Sequence, residues 1–280
     1  MKAVLKTFFI LLLFPTISVV SQNTFENKEK YSMPKRGICA HRGANETHPE
    51  NTLAAFEEAL RLGAQMIEFD VRMTKDHKLI VIHDASVDRT TNGTGLVADL
   101  TWAVIKKLDA GSWKSKKFKG EKIPLLKKLL ASFPKNVWLN VHLKGDEELG
   151  KAVATIIITE NRAHQVIIAC TKESAIGVRK IDPKIRICTM ERKESRKAYI
   201  KETIRENFST IQLLKKRDDS SFASNITQLK KHGVRINYYY SNTAKEGTAL
   251  FNMGVDFILT DRLETMLQAA ESVGVKRLRL

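Results

Sequence analysis

Nine short apolar runs recur along the chain, at 38–41, 66–71, 79–83, 137–143, 166–170, 185–190, 210–214, 234–240 and 256–260. Their length and their content of β-branched and aromatic residues predict strands. Segments with helical periodicity lie between many of them, among others at 52–62, 147–159, 174–181, 221–231 and 244–253. This alternation predicts a parallel sheet covered by helices. A closed (β/α)8 TIM barrel takes about 250 residues, which the 280 residues of the chain accommodate without a second core. Such a barrel needs eight strands, one fewer than the runs. One run is therefore expected to be short or to lie outside the barrel, and 210–214 is the candidate. Residues 85–123 carry neither pattern and are expected to form an insertion after the third strand. A stretch of that length without elements of its own usually serves function.

The N-terminus stands apart from this pattern. Lys2 and Lys6 precede an apolar run over 7–20, and Val19 and Ser21 sit at the −3 and −1 spacing of a cleavage site. Residues 1–21 read as a secretory signal peptide, because about 14 apolar positions interrupted by Pro15 are short for a membrane span. Residues 22–34, polar and aperiodic, read as a flexible leader, and 35–275 as the barrel domain. The expected destination is the periplasm or the medium. Of the sequons at Asn45, Asn92, Asn207 and Asn225, the first lies four residues after His41. A glycan there would crowd the neighbourhood, which favours a source that does not N-glycosylate, such as a bacterium.

Cys39, Cys170 and Cys188 are odd in number and lack metal spacing, so they read as buried free thiols. The formal net charge is +16, or +14 without Lys2 and Lys6. That balance suits anionic partners such as a small phosphodiester or an anionic membrane surface. Nucleic acid fits poorly, since the chain carries no nucleic-acid-binding motif and is expected to be exported. The basic stretches 114–122 and 276–279 read as solvated surface.

Polar, ionisable residues close the first runs: His41-Arg42-Gly43, then Glu68-Phe69-Asp70-Val71, then His83-Asp84. Residues of this kind at strand ends are what the mouth of a βα barrel requires. Glu68 and Asp70 are two apart on one strand and point to the same side. Two facing carboxylates repel unless a cation intervenes, and Mg²⁺ or Ca²⁺ with oxygen ligands is the natural resolution. His41 and His83 end the first and third runs and could line one mouth. Two imidazoles at one mouth suit a base and an acid working near neutral pH. Arg42 offers a planar fork for phosphate oxygens, or a salt bridge to Glu50 or Glu68. Gly43 would let backbone approach a ligand. In 237–240, Asn237 and Tyr239 share one face, Tyr238 and Tyr240 the other.

The order H-R-G (41–43), P-E-N-T (49–52), E-x-D-V (68–71), H-D (83–84), D-R-T-T-x-G-x-G (88–95), L-D-A-G-S-W (108–113) and G-E-x-I-P (120–124) resembles the glycerophosphodiester phosphodiesterase family. The resemblance implies a TIM barrel, with Glu68 and Asp70 as metal ligands and His41 and His83 as the acid–base pair. Glu50, after Pro49, is read as ordering its loop and reaching toward the metal or Arg42. On the fourth strand the family pattern E-x-K supplies a third carboxylate to the metal and a lysine to the phosphate. Here His142 stands in place of that carboxylate and Lys144 follows. The site then reads as Glu68, Asp70 and His142 for the metal, with Arg42 and Lys144 for the phosphate. Imidazole favours Mn²⁺ or Zn²⁺ over Ca²⁺, whereas the resemblance implies Mg²⁺ or Ca²⁺. The run 237–240 replaces the family's W-T-V-N, and 254–256 with 260–261 matches its closing G-V-D and T-D, read as structural. The implied activity is metal-dependent hydrolysis of glycerophosphodiesters to an alcohol and glycerol phosphate. Phospholipase D-like cleavage of lipid head groups, and a degenerate barrel that binds an anionic ligand, remain as alternatives.

Overall fold

All nine apolar runs form strands, and what surrounds each decides its place. In the computed structural model, residues 32–190 and 195–279 are described, and all belong to one compact unit, Tyr31–Leu280. Residues 1–21, read as a signal peptide, and most of 22–34, read as a leader, lie outside the described residues. The elements run β1 (Gly37–His41), α1 (Leu53–Leu62), β2 (Met66–Met73), β3 (Leu79–Val81), α2 (Trp102–Ile105), α3 (Leu126–Ser132), β4 (Trp138–Leu143) and α4 (Glu147–Thr159). They continue with β5 (Val166–Cys170), α5 (Lys172–Ile181), β6 (Arg186–Thr189), α6 (Arg196–Arg205), β7 (Thr210–Leu214) and α7 (Phe222–Lys231). The last are β8 (Arg235–Tyr239), α8 (Ala244–Asn252), β9 (Phe257–Thr260) and α9 (Leu263–Ser272). β1, β2, β4, β5, β6, β7, β8 and β9 pair in parallel in that order, and β9 closes back on β1. The (β/α)8 barrel is thus complete.

The strand outside the barrel is β3, which corrects the assignment of 210–214 to that place. β7 pairs with both β6 and β8. Residues 74–78 are too few to carry a crossover, so β3 folds back as an antiparallel partner of the end of β2, with Val71 opposite Val81. β3 therefore runs down toward the barrel mouth, and the chain beyond it carries His83 there. The insertion 85–123 follows, with short helical turns and a core of its own around Ile80, Ile82, Val87, Val97, Ile105, Ala110 and Ile123.

Alternation along each strand sorts the core into two compartments. Outward side chains such as Ile67, Val141, Ile168 and Ile258 pack under the helices, while Cys39, Met66, Trp138, Ile167, Cys188 and Phe257 fill the barrel. Following the parallel registers around the closed sheet, inward residues fall into layers drawn from alternate strands. Cys39, Asn140, Cys188 and Asn237 form a middle layer. Two residues further along the same strands, His41, His142, Met190 and Tyr239 form the layer at the mouth. A layer of apolar and polar side chains thus fills the barrel below the mouth and gives the site a solid floor.

Three expectations about single residues resolve here. The three cysteines are buried thiols. The tail at 276–279 is not free surface: Leu278 N–H donates to Gly63 O at 2.9 Å, and Arg277 pairs with Glu264 and Glu271. Gly43, with φ of +81°, lies against α1, where a Cβ would sit 2.7 Å from the Ala55 backbone. Its lack of a side chain serves packing of the first turn on α1 rather than approach to a ligand. No helix among the described residues is long and apolar enough to cross a membrane.

Candidate active site

The turn after β1 sets up the first half of the mouth. Arg42 and Asn51 both adopt positive φ, 55° and 59°, and Asn51 N–H donates to Arg42 O at 3.1 Å. The Arg42 N–H is thereby aimed at Glu68 Oε2, 3.0 Å away. Asn51 binds Asp70 twice, its Nδ2 donating to Oδ2 at 3.0 Å and its Oδ1 accepting from Asp70 N–H at 3.3 Å. Thr52 then caps α1 by accepting from Ala55 N–H. The P-E-N-T turn is therefore a brace for β2 as well as a helix start.

Glu68, Asp70 and His142 converge from β2 and β4, where Asp70 and His142 are register partners. Their nearest ligand-type atoms lie within 4.8 Å of one another. His142 Nδ1 is 3.4 Å from Asp70 Oδ1 and 3.6 Å from Glu68 Oε1. Lys144 Nζ lies 3.2 Å from Asp70 Oδ1 and 3.1 Å from His142 Nδ1. The Arg42 guanidinium reaches Glu50 Oε1 at 2.9 Å and Asp70 Oδ2 at 3.4 Å. The salt-bridge partners of Arg42 are thus Glu50 and Asp70, while Glu68 takes only its backbone N–H. Burial alone would push the Asp70 carboxyl up. His142, Lys144 and Arg42 outweigh it and hold the group well below the usual carboxylate range.

Both histidines carry a carboxylate on Nδ1. His41 Nδ1 is 2.6 Å from Asp261 Oδ1, and His83 Nδ1 is 2.6 Å from Asp84 Oδ1. A carboxylate accepts, so Nδ1 holds the proton in each and Nε2 is left to face a second partner. His41 Nε2 points toward the cluster, 4.0 Å from Glu68 Oε2. The two imidazoles titrate apart. At His41, burial opposes the charge, but the Asp261 hydrogen bond and the Glu68 charge prevail and raise its pKa above 6.5. At His83, burial dominates; Asp70 and Asp84 oppose it, Arg42 and Lys144 add to it, and the pKa falls below 6.5.

Several site residues were not marked by the sequence reading. Asp261, read as structural, is the partner of His41, and it also accepts from Asn45 Nδ2. It ends a run with a polar residue, the same signal that marked His41. Asp84 and Arg89 stood inside quoted motifs without a role. Arg72 donates to the carbonyls of His83 and Lys144, at 2.9 and 3.4 Å, and ties the segments that follow β3 and β4 to β2; nothing in its sequence context marks it. The face assignment over 237–240 holds up to the strand end and then fails. Tyr239 lies 5.4 Å from the His41 ring and Tyr238 is buried under the helices, but Tyr240, beyond β8, packs on Tyr239 at 5.1 Å.

A TIM barrel whose mouth gathers two histidine–carboxylate pairs beside Glu68, Asp70 and His142 has the groups that acid–base catalysis of hydrolysis requires. A sequence profile of the glycerophosphoryl diester phosphodiesterase family matches residues 41–265. A glycerophosphodiester phosphodiesterase of Caldanaerobacter subterraneus is 34% identical over 252 residues, 85% of this chain and 98% of the relative. One of Bacillus subtilis is 34% identical over 244 residues, 79% of this chain and 82% of the relative. The crystal structure of a glycerophosphodiester phosphodiesterase from Agrobacterium tumefaciens superposes with a TM-score of 0.74 at 30% identity, covering 83% of this chain and 99% of that one. The chain belongs to the glycerophosphoryl diester phosphodiesterase family, a family of metal-dependent hydrolases that split glycerophosphodiesters into an alcohol and glycerol phosphate.

The residues present fit a divalent ion. Asp70 Oδ1 is buried without a well-directed hydrogen bond, although His142 Nδ1 and Lys144 Nζ lie 3.4 and 3.2 Å from it. A buried carboxylate oxygen held only by such loose contacts, beside a second carboxylate and an imidazole, is a donor set suited to a divalent cation.

Proposed function

We propose that His83 is the general base and His41 the general acid of the hydrolysis. Support comes from one feature above all: both imidazoles are oriented through Nδ1 by a carboxylate, while their proton affinities are moved in opposite directions. Neutral His83 offers the Nε2 lone pair to the attacking oxygen. Protonated His41 returns a proton from Nε2 to the leaving oxygen as the phosphorus–oxygen bond breaks. Arg42 and Lys144 present positive charge to the non-bridging phosphate oxygens. Glu68, Asp70 and His142 would hold a divalent ion, which polarises the phosphoryl group when bound. Mg²⁺ and Ca²⁺ follow from the family, and Mn²⁺ or Zn²⁺ from the imidazole of His142.

The defining experiment is a screen of purified protein against glycerophosphodiesters, lysophospholipids and intact choline lipids, with products identified and metal content determined. Release of glycerol phosphate from a glycerophosphodiester, abolished by a chelator, is the expected result. Turnover of intact lipids alone would favour phospholipase D-like cleavage, and none at all the degenerate barrel.

The reading of residues 1–21 as a signal for export to the periplasm or medium rests on Lys2, Lys6 and the apolar run. N-terminal sequencing of the protein from fractionated cells tests it. The charge of +16 supports contact with an anionic membrane surface, which co-sedimentation with anionic and neutral vesicles tests.

A further inference from the structure

Arg89 lies in the insertion, away from β1, β2 and β4, yet its guanidinium grips two carboxylates of the mouth. Nε and Nη2 donate to Asp84 Oδ2 and Oδ1 at 2.6 and 3.1 Å. Nη1 and Nη2 donate to Glu50 Oε2 and Oε1 at 2.9 and 2.8 Å. Asp84 Oδ1, which Nη2 holds, also makes the 2.6 Å contact with His83 Nδ1, and Glu50 Oε1 also accepts from Arg42 Nη1 at 2.9 Å. Asp84 has a side chain 29% exposed and His83 32%, so neither is fixed by packing, in contrast to His41 at 12%. A partly exposed imidazole on a loop beyond an antiparallel strand needs another means of orientation. A planar fork that closes on two carboxylates at once provides it, in a way an ammonium does not.

We propose that Arg89 is a positioning residue for the proton transfer at His83, acting by clamping Asp84 to Glu50. The clamp rests on the reading of His83 as an acid–base group. Through it the insertion fixes the half of the site that the barrel strands do not supply. Arg89 itself stays off the phosphate, since both edges of its guanidinium are already committed to carboxylates.

A double-mutant cycle on kcat and KM with a glycerophosphodiester tests this. Arg89→Ala is expected to lower kcat by about 10- to 100-fold, the scale of losing an orienting partner, with KM within about twofold of the parent. Arg89→Lys, which keeps the charge and guards against loss of fold, should recover little of kcat, while added guanidinium should recover part of it in Arg89→Ala. In a His83→Ala background, Arg89→Ala should change kcat by less than about twofold, since residues acting as one unit are not additive. Multiplicative losses, or a rise in KM at unchanged kcat, would overturn the proposal and make Arg89 a substrate contact. Full turnover by His83→Ala would instead remove the acid–base reading on which the clamp depends.

Discussion

Asp261 Oδ1 lies 2.6 Å from His41 Nδ1 across the seam where the last barrel strand closes on the first. The two residues are 220 positions apart in sequence, and barrel closure alone makes them neighbours. Asp261 sets the tautomer of His41 and favours its charged form, as burial does not. Asp261→Asn should therefore lower kcat by about 10- to 100-fold and move the alkaline limb of the pH profile to lower pH. An unmoved limb would mean that Asp261 only packs.

The pH dependence follows from the two opposite shifts. With His83 as the base, activity should be lost as pH falls through its pKa, which lies below 6.5. With His41 as the acid, activity should be lost as pH rises through its pKa, which lies above 6.5. A bell-shaped kcat/KM profile with a plateau between the two is expected. Residual activity of His83→Ala should lack the acidic limb, and that of His41→Ala the alkaline one. The reverse pattern would exchange the roles of the two histidines.

His41→Ala and His83→Ala should each lower turnover by about 100-fold or more. Because both act in one proton-transfer sequence, the double variant should fall far less than the product of the single losses. Stopped assays of the three variants with one substrate decide the matter, and strictly multiplicative losses would separate the two residues.

Metal binding can be read without turnover, by calorimetry on the protein. Glu68→Gln and Asp70→Asn should lose the ion while melting cooperatively. As a ligand, His142 must offer a free ring nitrogen, so protons compete with the ion and affinity should fall in acid. His142→Glu should remove that dependence and shift preference from Mn²⁺ or Zn²⁺ toward Mg²⁺ or Ca²⁺. An identical ion profile in both forms would place His142 outside the ligand set.

Gly43→Ala tests the first turn. The positive φ alone should cost about 1–3 kcal/mol in a urea melt, and the contact with the Ala55 backbone in α1 adds to it. A variant as stable as the parent would show that the turn relaxes without loss.

The sequence by itself determined the nine strands, the order of strand and helix, and most residues that meet at the mouth. Local patterning suffices for these, because period-two runs, cap residues such as Thr52 and polar strand ends are properties of neighbours in the chain. It also placed Glu68 with Asp70, and His142 with Lys144, on one face, since alternation fixes that within a strand. Tertiary structure alone decided which strand leaves the barrel. Apolar content does not distinguish 79–81 from 210–214, whereas the short link after β2 and the pairing of β7 on both edges do. Long-range closure likewise decided that Asp261 serves His41. The fork of Arg89 on Glu50 and Asp84, like the reach of Arg72 to two carbonyls, came from the folding of the insertion and β3 over the mouth. Side chains that meet across the chain leave no periodic trace in it, so their partners become known only when the barrel closes.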